Sequence, residues 1–157
     1  MKTLKKILIL LFVVFIIAQF FGPEKNTGDL TSVEPFLTET NPPEHVAAIL
    51  KESCYDCHSS HTRYPWYNNL TPVNYWMAEH VNDGKKHFDF SKWESYSVKK
   101  KDHKFEELIE MVVDKEMPLE SYTWAHSEAK LSDSDIESIK EWAENVRIKL
   151  TLIPKPE

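Results

Sequence analysis

One short motif constrains the fold of this chain more than any other feature, because it holds the only two cysteines of the sequence. Cys54 and Cys57 are separated by two residues, and His58 follows directly. This C-x-x-C-H pattern is typical of covalent haem c attachment, in which each thiol adds to one of two neighbouring vinyl groups of the porphyrin. His58 then falls beneath the ring, where its imidazole can bind the iron. The sequence therefore predicts one haem per chain, bound covalently by Cys54 and Cys57, with His58 as an iron ligand.

Three other uses of a close cysteine pair explain the motif less well. A disulfide in an exported protein would account for the cysteines but not for the adjoining histidine. A thioredoxin-like redox pair belongs to a βαβ unit, whereas the sequence that flanks this pair predicts helix. A zinc site needs further soft ligands, and the chain has no other cysteine. Haem attachment is the interpretation that uses all three residues of the motif.

Composition agrees with a helical domain built around a cofactor. The chain has 157 residues, enough for one domain, and its 3 glycines exclude glycine-rich phosphate loops and argue against a turn-rich β-barrel. Apolar residues make up 41% of the chain, but many lie in the first 22 residues, so the remainder has a lean core that a haem would help to fill. The formal net charge of −6 argues against nucleic acid as a partner.

The first 22 residues are predicted to form a transmembrane helix. Residues 7–18 are apolar without interruption, and the basic side chains before them orient the start of the chain toward the cytoplasm: Lys2, Lys5 and Lys6. A cleaved signal peptide would need small residues at its end, and Ala18-Gln19-Phe20 is a poor cleavage site. As a helix, Leu4 to Gly22 would reach about 28 Å, close to the thickness of the hydrocarbon core. We therefore predict a single-pass anchor in the cytoplasmic membrane, with the haem domain on the periplasmic, extracytoplasmic side.

The rest of the chain is predicted to be a polar linker followed by one haem-binding domain. Residues 23–41 are largely polar and lack helical periodicity, which predicts the linker. Within 42–157 apolar residues recur at helical spacing in stretches that open at Asn41-Pro42-Pro43, Thr71-Pro72, Asp102 and the capping box of Ser132. Gly84 is predicted to end the second helix, and the prolines of residues 153–157 cannot continue the last one. No stretch alternates with period two long enough to require a strand, so the predicted fold class is all-α.

The haem iron needs a second ligand on the face opposite His58, and Met117 is the predicted one. Met77 and Met111 lie on the apolar stripes of their helices, where core packing explains them. Met117 precedes Pro118, so it cannot continue the third helix and lies in a loop, where its thioether can face the ring. The alternative role for Met117 is to fill the core beneath that loop.

Two histidines and one aromatic segment are further candidates at the haem. His80 on the second helix and His126 between Pro118 and the last helix are alternative distal ligands, which would give a bis-histidine haem. Arg63, Trp66 and Tyr67 offer a charge and several N–H or O–H donors that suit the anionic haem propionates. For Trp66, burial in the core is the competing explanation.

Short segments spread along the domain carry a resemblance to a known family. They are Cys54-x-x-Cys57-His58-Ser59, Thr62-x-x-Pro65-Trp66-Tyr67, His80-Val81-x-x-Gly84, Phe90-Ser91-x-Trp93, Met117-Pro118, Tyr122, His126, Ala129 and Leu131-Ser132. With these segments the chain resembles the haem-binding domain family of short, membrane-anchored, single-haem c-type cytochromes and, more loosely, the cytochrome c fold. The resemblance implies a cytochrome c-like domain around a covalent haem, with His58 as proximal and Met117 as distal ligand.

The predicted function is the transfer of single electrons by one covalently bound haem c. The haem and its iron supply the redox chemistry, while the protein supplies ligands, burial and a docking surface for redox partner proteins. Spacing identifies neither a nucleophile with a base nor paired catalytic carboxylates, so we predict that the chain is not an enzyme. The main alternative is a haem-based gas or redox sensor with an exchangeable distal ligand. A thiol–disulfide module without haem is a third hypothesis.

Overall fold

A computed structural model describes residues 2–152 and confirms the all-α class. Within that range the chain forms eight α-helices, four short 3₁₀-helices and no strand. The α-helices are α1 (Lys2–Ala18), α2 (Glu34–Thr40), α3 (Glu44–Ser53), α4 (Tyr55–His58), α5 (Val73–His87), α6 (Val98–Val113), α7 (Glu120–Thr123) and α8 (Asp133–Thr151). The 3₁₀-helices are Leu30–Val33, Trp66–Asn69, Phe90–Ser95 and Ser127–Ala129. The tail 153–157, in which we predicted the end of helical structure, lies outside the described residues.

An aromatic cluster forms the core between α2, α6, α8 and the 3₁₀-helix Phe90–Ser95. Its centre is Phe36 of α2, which is fully buried and whose ring centroid lies 4.7 Å from that of Phe90. Phe105 of α6 and Trp142 of α8 complete the cluster, with their centroids 5.3 Å apart. Phe90 also lies beside His58, at 6.3 Å between ring centroids. The aromatic core therefore continues up to the cysteine motif.

The second half of the predicted linker is not a linker, because it contributes to this core. Leu30–Val33 and α2 are helical, and Val33, Phe36 and Thr40 are buried. The indole N–H of Trp142 donates to the carbonyl of Thr40 at 3.2 Å, which ties α2 to α8. Helix α2 has only 7 residues, too few for an apolar period to repeat. Residues 23–41 therefore lacked the pattern by which longer helices are recognised.

Helix α6 begins at Val98, earlier than predicted, and the start of α8 agrees with its prediction. The side chain of Ser97 accepts an N–H of the first turn of α6 at 3.3 Å, so Ser97 rather than Asp102 is the cap. Asp102 lies inside the helix and accepts a hydrogen bond from Arg147 Nε of α8 at 2.8 Å. The predicted capping box of Ser132 is present at the start of α8.

The apolar helix at the N-terminus is shorter than predicted. Helix α1 has 17 residues, ends at Ala18 rather than Gly22, and buries none of its side chains. Across residues 2–152, no helix combines the length and the apolar character needed to cross a membrane. The Gln19 side chain accepts from the N–H of Thr71 at 3.0 Å and donates to the carbonyl of Thr71 at 3.2 Å. These two bonds fasten the end of α1 to the residues that precede α5.

Candidate haem site

Helix α3 carries Cys54 to the edge of the core. Val46 and Leu50 lie four residues apart on one face of α3, and both are fully buried. Cys54 follows α3 with its N–H bonded to the carbonyl of Leu50 at 3.0 Å. The N–H groups of Cys57 and His58 then donate to the carbonyl of Cys54, at 3.2 and 3.0 Å. One tight turn thus places the whole motif at the end of α3, and both thiols are free.

His58 is oriented so that its Nε2 atom can bind a metal. Its Nδ1 atom lies 2.8 Å from the carbonyl oxygen of Phe88. Because a carbonyl oxygen only accepts hydrogen bonds, Nδ1 carries the proton and Nε2 keeps its lone pair. Burial lowers the pKa of His58 and so favours the neutral ring, which is the form that binds metals. Two free thiols and a neutral imidazole are the donor set that a covalent haem requires.

Helix α5 packs directly onto the motif, and Gly84 permits the contact. A Cβ atom added at Gly84 would lie 2.6 Å from the carbonyl oxygen of Cys57 and 3.1 Å from its Cβ. Any larger residue would therefore push α5 away from α4. The prediction that Gly84 ends the second helix is wrong, since α5 continues to His87. The glycine serves close packing rather than termination.

Two clefts open beside the motif, and His58, His87 and Met117 line both of them. One cleft has a volume of about 320 Å³ and is lined by Cys57. The other has a volume of about 370 Å³ and is lined by Cys54. Both volumes are typical of ligand and cofactor sites. The His58 imidazole therefore lines both clefts, with Cys57 in one and Cys54 in the other.

The end of α6 turns the chain so that Met117 returns to these clefts. Lys115 adopts a left-handed conformation with φ 59°, as residues just beyond a helix often do. The N–H groups of Glu116 and Met117 then both donate to the carbonyl of Met111, at 2.9 and 3.0 Å. Met117 is half-buried. The structure thus brings Met117 to the clefts that His58 lines, as its position before Pro118 led us to expect.

His80 and His126 differ in how free their ring nitrogens are. The Nδ1–H of His80 donates to the carbonyl of Trp76 at 2.8 Å, which leaves Nε2 free, and His80 lines the 320 Å³ cleft. In His126, Nε2 lies 3.3 Å from the hydroxyl of Tyr67 and Nδ1 lies 3.3 Å from a carboxylate oxygen of Glu128. His126 lines neither of the two clefts. Of the two histidines, His80 is the better placed alternative ligand.

Comparison with protein families decides the class of cofactor. A family model described as a haem-binding domain matches residues 13–145. The chain belongs to this haem-binding domain family. The resemblance drawn from the motif segments is thereby confirmed, and the cofactor of the domain is haem. No curated protein and no solved structure matches the chain. Across residues 2–152, no three His, Cys, Asp or Glu side chains converge as a metal site.

The segment that we predicted to meet the haem propionates lies only partly beside the cysteine motif. Trp66 is 76% exposed and lines neither cleft. Arg63 already forms ion pairs with Glu52 at 2.6 Å and with Asp56 at 3.1 Å. Arg63 and Tyr67 line a smaller cavity, of about 60 Å³, that Cys57 and His80 also reach. Sequence proximity therefore grouped residues that the fold separates.

Asp56, inside the motif, is a residue of the haem-binding domain that sequence reasoning missed. Its side chain is 5% exposed, and Oδ1 accepts the backbone N–H of Arg63 at 2.9 Å. Oδ2 accepts the hydroxyl of Tyr122 at 2.7 Å. Burial, followed by this hydrogen bond, raises the pKa of Tyr122 and keeps the phenol protonated. The only signal for this contact in the sequence was that Tyr122 is one of the residues that carry the resemblance to the family.

The two thiols lie in surroundings that oppose ionisation. Burial raises the pKa of Cys54 to about 12 and that of Cys57 to about 11. Redox-active cysteine pairs have the opposite property, because their nucleophilic thiol has a lowered pKa. Burial of the two thiols thus argues against the thiol–disulfide hypothesis.

Proposed function

We propose that this haem-binding domain is a single-haem c-type cytochrome that carries single electrons. Cys54 and Cys57 would hold the haem covalently, and His58 would bind its iron. When bound, the haem supplies a reversible one-electron change at the iron. The observation that carries the proposal is the hydrogen bond from His58 Nδ1 to the Phe88 carbonyl, which leaves the lone pair of Nε2 for a metal on a residue that lines two clefts beside two free thiols.

The second iron ligand in this proposal is Met117. Met117 and His58 line the same two clefts, and a thioether ligand favours the reduced iron more than a second imidazole does. The aromatic core beside His58, with Phe88 and Phe90 buried, keeps water from that face of the site. The residues of the site would thus bind the haem, orient its ligands and shield it from water. We propose no catalytic role for any of them.

A gas or redox sensor is the second candidate function, and one observation favours it. Met117 lies between α6 and α7, and no residue of the four-residue helix α7 is buried. His80, with its free Nε2, lines the same cleft as Met117. A ligand on so lightly packed a segment could leave and be replaced by an external molecule.

We also propose that the N-terminal segment holds the domain at the outer side of the cytoplasmic membrane, where it meets redox partner proteins. Helix α1 exposes apolar side chains on all sides, which is unfavourable in water and favourable in lipid. Membrane fractionation of the full chain, and of a variant in which a cleavable signal peptide replaces residues 1–22, tests this part. Recovery of the full chain in the soluble fraction would contradict it.

The experiment on function uses the full chain produced with the haem-maturation machinery. Haem staining after denaturing electrophoresis, with a pyridine haemochrome spectrum, should detect one covalently bound haem per chain. The reduced protein should resist carbon monoxide if Met117 stays bound, as a carrier requires. Absence of covalent haem would overturn the cytochrome proposal, and ready uptake of carbon monoxide would replace the carrier with the sensor.

A further inference from the structure

We infer that Tyr122 is a positioning residue for Met117, because its hydroxyl binds the buried carboxylate of Asp56 inside the attachment motif. The inference rests on the proposed ligation of the haem iron by Met117. Met117 and Tyr122 both belong to the 114–130 segment, which runs from the end of α6 through α7 to the last 3₁₀-helix. Its side chains are mostly exposed or half-buried, so packing alone holds this segment weakly.

Asp56, the acceptor of this hydrogen bond, is held in place by contacts that do not involve Tyr122. Asp56 lies in α4, one residue before Cys57, and its side chain is 5% exposed. Oδ1 is held by the backbone N–H of Arg63 at 2.9 Å, and the guanidinium of Arg63 also reaches Oδ2 at 3.1 Å. Arg63 is in turn anchored to Glu52 of α3 at 2.6 Å. Asp56 is therefore a rigid acceptor, attached to the helix that carries the haem cysteines.

The donor connects this rigid acceptor to Met117. Tyr122 lies on α7, and its N–H donates to the carbonyl of Leu119 at 3.0 Å, so it belongs to the turn that directly follows Met117-Pro118. Tyr122 and Met117 line the same cleft. Loss of the phenol hydroxyl would release this turn from α4 without altering any iron ligand.

Within the described residues, no other side-chain hydrogen bond of comparable strength joins the 114–130 segment to the part of the chain before α6. Only two side chains of the 114–130 segment form hydrogen bonds to residues that precede α6, namely Tyr122 and His126. The bond of His126 joins it to the hydroxyl of Tyr67 at 3.3 Å. The bond of Tyr122 is 2.7 Å long and has a carboxylate acceptor, so it is the stronger of the two.

The test measures how easily Met117 is displaced in the ferric full chain carrying haem. Imidazole binding is followed by loss of the methionine-to-iron charge-transfer band at the red edge of the visible spectrum. Tyr122→Phe should lower the Kd for imidazole by about tenfold or more, the effect of losing a hydrogen bond to a charged acceptor. Tyr64→Phe is the matched control, because it removes a hydrogen bond, 2.8 Å long, that the phenol oxygen accepts from the Asn26 N–H and that does not involve the 114–130 segment. This control should stay within about twofold of the unaltered protein.

A second pair of variants keeps the test decisive if Tyr122→Phe yields too little haem protein. Asp56→Asn weakens the acceptor and should also lower the Kd for imidazole. Glu52→Gln is its control, because the direct contacts of Arg63 with Asp56 remain and an amide oxygen at position 52 can still accept from the guanidinium, so the Kd should not change. Equal Kd values for Tyr122→Phe and the unaltered protein, or equal shifts in a variant and its control, would overturn the inference. If the unaltered protein lacks the charge-transfer band, it is the proposed Met117 ligation that fails, and the inference fails with it.

Discussion

On the side of the cysteine motif, the proposed haem site is held by packing against α3 and α5 and by the carbonyl of Phe88 at the end of α5, whereas on the side of Met117 it is held by one turn and a few side-chain hydrogen bonds. The motif rests on Val46 and Leu50 of α3, accepts α5 at Gly84, and has its imidazole fixed by the carbonyl of Phe88. The opposite side has α7, of which no residue is buried.

The two sides of the site should therefore differ in how easily their iron ligands are displaced. A ligand whose second nitrogen is fixed by a backbone carbonyl keeps its orientation whether or not the iron changes charge. A ligand on a lightly packed segment opens at a lower free-energy cost than the buried core does. We therefore expect covalent attachment and proximal ligation by His58 to persist under conditions that displace Met117.

The largest expected effect follows from removing both thiols to which we propose that the haem is attached. Cys54→Ser with Cys57→Ser should abolish covalent haem and leave the domain poorly folded, because the two clefts beside the motif, of about 320 and 370 Å³, would lose the group that fills them. Haem staining after denaturing electrophoresis measures attachment, and near-ultraviolet circular dichroism measures packing. Each single substitution serves as a control and should retain some stain. A stain that survives the double substitution would contradict the assignment of these cysteines.

The next effect tests how tightly α5 packs against the cysteine motif. Gly84→Ala places a Cβ atom 2.6 Å from the carbonyl oxygen of Cys57, so α5 must move away from α4. We expect the free energy of unfolding to fall by about 1–3 kcal/mol, as in other overpacked contacts. Gly22→Ala is the matched control, because its added Cβ would meet only the side-chain nitrogen of Asn74, at 3.1 Å. Thermal unfolding of the haem protein compares the two, and an equal Tm would show that the α4–α5 contact is not tight.

The third effect concerns Met117, on the more lightly packed side of the site. Met117→Ala should remove the charge-transfer band while covalent haem remains, since Cys54, Cys57 and His58 are untouched. The reduction potential should fall, because water or a recruited histidine stabilises ferric iron better than a thioether does. Spectroscopy and a potentiometric titration measure both changes.

Two histidine variants are the controls for Met117→Ala. His80→Ala and His126→Ala should each keep the charge-transfer band. If Met117→Ala instead has the spectrum of the unaltered protein and one histidine variant turns the haem high-spin, that histidine is the distal ligand. Its geometry makes His80 the stronger competitor, since His126 has a protein partner at each ring nitrogen.

The same contrast explains how much of the structure could be predicted from the sequence. The motif of Cys54, the capping box of Ser132 and the loop position of Met117 are encoded within a few neighbouring residues, so local chemistry predicts them. The hydrogen bond between Asp56 and Tyr122 joins residues 66 positions apart, and no periodicity encodes such a pair. Trp66 shows the reverse error, because its closeness to Arg63 in sequence suggested a shared site, whereas its side chain is 76% exposed.

The smallest expected effect also concerns the Met117 side and depends on one backbone angle. Lys115 has φ 59°, a conformation that glycine adopts without the penalty that a Cβ atom incurs. Lys115→Gly should therefore be more stable than Lys115→Ala by about 1 kcal/mol. Both variants lose the exposed ion pair between Lys115 and Asp133, 2.7 Å long, so the comparison cancels that contribution. Chemical denaturation of the two haem proteins measures the difference. Equal stabilities would mean that the turn into Met117 does not hold this angle in solution, and the Met117 side would then be looser than its hydrogen bonds to the carbonyl of Met111 imply.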